Sequence, residues 1–250
     1  MITASHLHKT FVHGRRRVEV LKDLSFHLNP GEVVTIIGRS GSGKSTVLDL
    51  VLGLIEPSSG TIERTTPNLP MGYVFQKPGL LPWRTVMRNV SLPLEIKGLS
   101  KKESLERAHV ALREVGLDYA ANSFPFQLSG GMAQRVAIAR ALVSDPALLL
   151  MDEPFGALDP LLRDNLNVNL AKFAWRTKKS ILFVTHSINE AVIMSDRIVI
   201  LEAGSFIHSL EINLPHPRDF DTFRTEAYLE MVRHVREHMP IQPNLPQGDR

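Results

Sequence analysis

The sequence predicts an α/β fold with a parallel sheet covered on both faces, and three observations carry that expectation. Short apolar runs at residues 33–37, 147–151, 181–185 and 198–201 alternate with stretches of helical pattern, as in strands joined by crossover helices. The first run ends on a glycine-rich loop, Gly38-Arg39-Ser40-Gly41-Ser42-Gly43. The second ends in two carboxylates, Asp152 and Glu153, and open α/β sheets collect ligands at that edge of their strands.

Taken in order, strand-like pieces fall at residues 5–11, 18–28 and 32–37, the last two separated by the turn Asn29-Pro30-Gly31. A helical pattern runs over 44–54 and is closed by Gly53 and Glu56-Pro57. A further strand pair surrounds Ser58-Ser59-Gly60 and reaches 71–75. Residues 86–115 read as helical and charged, with an amphipathic stretch at 101–116. After the break at Pro125 a second helix spans 131–143. The last residues, from about Pro240, are proline-rich and polar and are expected to fray.

Composition narrows the class. With 43% hydrophobic and 22% charged residues, the 250-residue chain can bury a sizeable core. It contains no cysteine, so disulfides, thiolate metal sites and cysteine nucleophiles are excluded. The net charge of +3 is small and its basic residues are scattered, a poor footprint for nucleic acid. The one tight cluster, Arg15-Arg16-Arg17 beside Gly14, reads as a solvated hairpin turn. The opening MITASHLHKTF has no long apolar core and does not read as a secretory signal. No segment approaches the roughly 20 apolar residues that span a bilayer, so any work at a membrane is expected to go through a partner.

Gly38 to Gly43, followed by Lys44 and Ser45, fits G-x-x-x-x-G-K-[ST]. Glycines let successive N–H groups converge on phosphate oxygens, and the helix that follows, beginning Lys44-Ser45-Thr46, adds the positive end of its dipole. Lys44 can reach the β- and γ-phosphates, and the Ser45 hydroxyl can ligate Mg²⁺. Asp152 and Glu153 alone are equally an acidic loop; with a phosphate loop upstream they suit a metal-binding carboxylate and a general base. His186 follows the 181–185 strand at the same edge and can orient water, although a lone histidine there is commonly structural. Leu128-Ser129-Gly130-Gly131 opens a helix, and by itself is explained better by ordinary capping than by anion binding.

Together these stretches resemble the ABC ATPase family over about residues 2–217. The resemblance matches the Walker A loop at 38–45, the Q-loop glutamine Gln76 and the signature at 128–142. Walker B lies at 148–154, the D-loop at Ala157-Leu158-Asp159, and the switch histidine is His186. It implies ATP and Mg²⁺ as ligands, with the metal held by Ser45, Gln76 and Asp152, and turnover by Glu153, His186 and Gln76. It also implies adenine stacking on Phe11, phosphate contacts from residues 38–46, and contacts from Ser129, Gly130, Gly131 and Asp159 across a head-to-tail dimer. Three departures stand out: Met132 for the usual glutamine, Phe11 for tyrosine, and Ser187 where many relatives carry aspartate.

Leu80-Leu81-Pro82-Trp83, the methionine in the signature and Leu214-Pro215-His216-Pro217-Arg218 are similar to the nitrate/sulfonate/taurine importer subfamily. The expectation is therefore a P-loop NTPase with a RecA-like core, an antiparallel β lobe and an inserted helical subdomain at about 77–146. One ATPase domain would cover 1–220, with a helix and polar tail at 221–250. The partners implied are a second copy, two integral membrane permease subunits and, indirectly, a solute-binding protein, at the cytoplasmic face of the inner membrane. The rival is a soluble ABC ATPase acting on nucleic acid or ribosomes; a single phosphate loop, a single signature and the lack of sustained heptads weigh against it. For 80–83, docking on a membrane partner and packing under the chain's own helical lobe stand equally.

Overall fold

The computed structural model describes residues 1–156 and 158–240. Ala157 of the D-loop and the end expected to fray, from residue 241 on, lie outside the described residues.

In chain order the elements are β1 (Ile2–His13), β2 (Arg16–Leu28), β3 (Val33–Gly38), α1 (Lys44–Leu52), β4 (Ser59–Arg64) and β5 (Met71–Val74). Three helices follow: α2 (Val86–Ile96), α3 (Lys101–Glu114) and α4 (Gly130–Leu142). The chain continues through β6 (Leu148–Asp152), α5 (Pro160–Thr177), β7 (Ser180–Thr185), α6 (Ile188–Met194), β8 (Arg197–Glu202), β9 (Ser205–Glu211) and α7 (Glu226–His238).

The strands form two sheets. One is antiparallel, in the order β2-β1-β4, and the other runs β5-β6-β7-β3-β8-β9, parallel except for the last strand. Strand periodicity explains why the parallel strands read as unbroken apolar runs: both of their faces are buried. Ile37, Met151, Phe183 and Ile200 face the core beneath α5 and α6. Their neighbours Ile36, Leu150, Val184 and Val199 face the core shared with α1 and the antiparallel sheet. A third core, around Val90, Leu112 and Val136, belongs to α2, α3 and α4.

Three expectations change. The helical stretch 86–115 is two helices, because Gly98 takes φ 83° and Ser100 then caps α3 by accepting from the Glu103 N–H. Ser59 and Gly60, expected at a turn, instead open β4; a Cβ on Gly60 would lie 2.2 Å from the His6 carbonyl oxygen, so only glycine permits the close approach to β1. The antiparallel β9 has no counterpart in the expected strands. The hairpin reading of the arginine cluster holds, with the β1–β2 turn at Gly14-Arg15.

Candidate functional site

β3, β6 and β7 lie side by side and deliver Gly38, Asp152 and Thr185 to one edge of the sheet. Between the phosphate loop and the end of β6 lies a cavity of about 350 Å³. Ser40, Gly41, Gly43, Lys44, Ser45, Thr46, Gln76, Asp152 and Glu153 line it, together with Val20. Gly43 sits at φ 103°, open to glycine and strained for other residues, and a Cβ there would meet Leu21 at 2.7 Å. The loop is thus held against β2 while its backbone curls into α1.

Lys44 is 5% exposed, and its ammonium donates to the carbonyl oxygens of Gly38 and Arg39 at 2.9 Å each. It also lies 3.2 Å from Glu153 Oε1. The other carboxylate oxygen of Glu153 is 2.9 Å from His186 Nδ1. Glu153 adopts φ 41°, the left-handed region, and its N–H donates to the Val184 carbonyl oxygen. Such a backbone is costly for glutamate and persists where its surroundings impose it, commonly at functional sites.

Ser45 Oγ donates to Asp152 Oδ1 at 3.0 Å. Burial pushes the Asp152 carboxyl above the usual range, and the negative charges of Glu153 and Asp49 act in the same direction. A cation at this edge would relieve both effects. The oxygen donors Ser45, Asp152 and Gln76 suit a hard divalent ion that keeps phosphate oxygens and water as its other ligands. Among the described residues no three His, Asp or Glu side chains form a metal cluster.

Other expected residues stand apart from the cavity. Gly38 is enclosed, a Cβ there falling 2.3 Å from the Leu201 carbonyl oxygen. Ser42 is buried, and its hydroxyl has no hydrogen-bond partner among the described residues; Arg39 contributes its carbonyl while its side chain is exposed. Phe11, half-buried on β1, lies under the Lys9 ammonium at 5.0 Å and does not line the cavity. Ser129 caps α4 by accepting from the Met132 N–H, and Asp159 caps α5 by accepting from Leu162. Gly130 is open to its surroundings, whereas a Cβ on Gly131 would strike Leu162 at 2.2 Å. These capping residues are exposed on the same chain, away from the phosphate loop's own cavity. Val20 was not expected in the lining; one β-branched residue in a strand carries no mark of its role.

The segment after Gln76 is gripped by α4. Gln134 donates to the Phe75 carbonyl oxygen, and Arg140 to those of Pro78 and Gly79. Buried Asn89 receives the Leu81 N–H and donates to the Leu81, Arg84 and Thr85 carbonyls. Leu80 packs on the helical core, while Trp83 is 72% exposed.

Fold and cavity together define a phosphate-loop, nucleotide-binding α/β protein. The ABC transporter family matches residues 21–156. The chain is 43% identical over 226 residues to the nitrate import ATP-binding protein NrtD of Synechocystis sp., covering 88% of this chain and 85% of that one. It is 43% identical over 209 residues to the taurine import ATP-binding protein TauB of Escherichia coli, covering 82% and 80%. A dimeric post-hydrolysis structure of the ATP-binding cassette MJ0796, bound to ADP and Pi, superposes with a TM-score of 0.78 at 33% identity, covering 86% of this chain and all of that one. The chain belongs to the ABC transporter family, as an ATP-binding and ATP-hydrolysing subunit.

Proposed function

We propose that this chain powers an import system for a small nitrate-, sulfonate- or taurine-like solute. Two copies close head to tail over ATP and drive two separate membrane permease subunits, to which a solute-binding protein delivers cargo. The place of work is the cytoplasmic face of the inner membrane. In support, no helix among the described residues is long and apolar enough to cross a membrane, and relatives over most of the chain are named for nitrate and taurine import. Those relatives favour transport over action on nucleic acid or ribosomes. The same reading divides the chain into one ATPase domain at 1–220, with its helical part at about 77–146, and a C-terminal helix and tail.

The observation that carries the reading is the contact chain Lys44–Glu153–His186, whose first two members line the phosphate-loop cavity. The loop at 38–46 holds the triphosphate through the residues that line the cavity, Ser40, Gly41 and Gly43 to Thr46, with Lys44 on the β- and γ-phosphates. Ser45, Asp152 and Gln76 hold Mg²⁺, which neutralises phosphate charge when bound. Glu153 accepts the proton of the attacking water as its oxygen bonds to the γ-phosphorus and the bond to the ADP oxygen breaks. His186 keeps Glu153 and that water in line. Phe11 offers an aromatic face to adenine, and Ser129, Gly130, Gly131 and Asp159 serve the nucleotide held by the other copy. The test is uptake of nitrate, taurine and alkanesulfonates by cells with and without the chain. Loss of one uptake on deletion supports the reading; unchanged uptake of all three counts against the solute class.

A further inference from the structure

A ring of contacts leaves Glu153 and returns to it without entering the nucleotide cavity. Arg163, on α5, donates through Nη2 to the Leu158 carbonyl oxygen at 3.0 Å and to that of Gly156 at 3.5 Å. Its Nε lies 3.6 Å from Glu190 Oε1, an ion pair rather than a hydrogen bond. Glu190, on α6, is 4% exposed, and its second oxygen accepts the Thr185 hydroxyl at 2.5 Å. Thr185 Oγ1 in turn accepts the Ser187 N–H at 3.0 Å, so this pair brackets His186. His186 reaches Glu153 through Nδ1, and the Glu153 carbonyl oxygen accepts the Gly156 N–H, which closes the ring.

Each link has a physical reason. In the turn between β6 and α5 the Gly156 and Leu158 carbonyls take Arg163 as a partner, and a guanidinium can satisfy several acceptors from one fixed plane. A buried carboxylate needs a counter-charge and hydrogen bonds, and Arg163 and Thr185 supply them to Glu190. Burial still holds the Glu190 carboxyl above its usual range. Breaking either partner leaves the other uncompensated, so the two act as a unit.

We infer that Arg163 and Glu190 are a positioning pair: they set His186 against Glu153 and tie both to the turn preceding Asp159. The inference rests on the reading that Glu153 and His186 act in ATP hydrolysis.

The test is a double-mutant cycle on the full chain with Arg163→Met and Glu190→Gln, measuring kcat, KM and affinity for ATP, and Tm. Displacing reacting groups by about 1 Å can cost on the order of 100-fold in rate. Each single variant is therefore expected to lose about 10- to 100-fold in kcat, with KM and ATP affinity within about twofold. The double variant should be no slower than the worse single, because the unit is already broken. Arg163→Lys, which keeps the charge but not the fork, should fall between wild type and Arg163→Met, and it carries the test should Arg163→Met not fold. Wild-type kcat in the variants, losses that multiply in the double, or ATP affinity falling in step with kcat overturns the pair. A wild-type chain that does not hydrolyse ATP overturns the hydrolytic reading itself, and the pair with it.

Discussion

The Lys44 ammonium lies 3.2 Å from one oxygen of Glu153, whose other oxygen lies 2.9 Å from the His186 ring. A phosphate-loop cation, a carboxylate at the end of β6 and an imidazole after β7 are thus joined through one side chain. The arrangement depends on the neighbouring parallel strands and on the left-handed backbone at Glu153, which lies just past the end of β6.

Lys44→Ala removes this charge where the ammonium is buried among loop carbonyls. A charge-assisted hydrogen bond contributes about 1.5–3 kcal/mol, so ATP affinity by calorimetry should fall about 10- to 100-fold. Unchanged affinity would mean that Lys44 does not meet the phosphates.

Asp152→Asn should separate stability from activity. A carboxyl held above its unfolded value favours the fold while protonated, and that stabilisation is lost as pH rises through its raised folded value. At neutral pH the amide avoids the buried charge and can still accept from Ser45. Without nucleotide, Tm should therefore rise by about 2–4 °C, the shift that about 1 kcal/mol gives in a chain of this size. Mg²⁺-dependent turnover should fall sharply. A lower Tm at pH 7, with the gap to wild type unchanged at pH 4, would contradict the electrostatic argument.

Ser129→Arg places a bulky cation at the start of α4, where Gly130 is open. The variant monomer should bind ATP normally and fail to hydrolyse it. Mixed with Lys44→Ala, one composite site carries both lesions and the other neither, so partial activity should return. Provided that mixed dimers form and one intact site suffices, silence in every mixture would count against a shared site.

Trp83 is 72% exposed, whereas nearby Leu80 is partly buried against the helical core. Packing under the chain's own helical lobe therefore holds for Leu80 and not for Trp83. An exposed tryptophan on a segment gripped by α4 is a suitable anchor for a membrane partner. Trp83→Ala should leave basal hydrolysis of the isolated chain within about twofold and Tm within about 2 °C, as for a surface substitution. It should weaken co-purification with the permease and reduce uptake. Normal assembly and uptake would end the docking role.

Much of the fold was legible because the parallel strands are buried on both faces, so their apolar runs stand out between loops rich in Gly, Ser and Asp. β9 was not, since Ser205, His208 and Ser209 give an edge strand no apolar run. The split between α2 and α3 turned on Gly98 and Ser100, whose effect a charged helical pattern on both sides concealed. At the candidate site, the phosphate loop and the two carboxylates were visible because their residue types announce their chemistry. Arg163 and Glu190 were not, because polar residues inside helices look like solvated surface until the fold brings them together and buries Glu190. Val20 needed the position of β2 under the loop before it could be counted.

The central claim is that Glu153 is the proton acceptor for hydrolysis, and steady-state ATPase of Glu153→Gln measured beside its ATP affinity tests it most directly. Gln keeps the shape of the side chain but accepts a proton poorly, and general-base catalysis is typically worth about 10²- to 10⁴-fold. The account predicts a fall in kcat of that size, ATP affinity at or above that of the wild type, and accumulation of an ATP-bound dimer on gel filtration. Hydrolysis within about twofold of wild type in the purified, folded variant would contradict it.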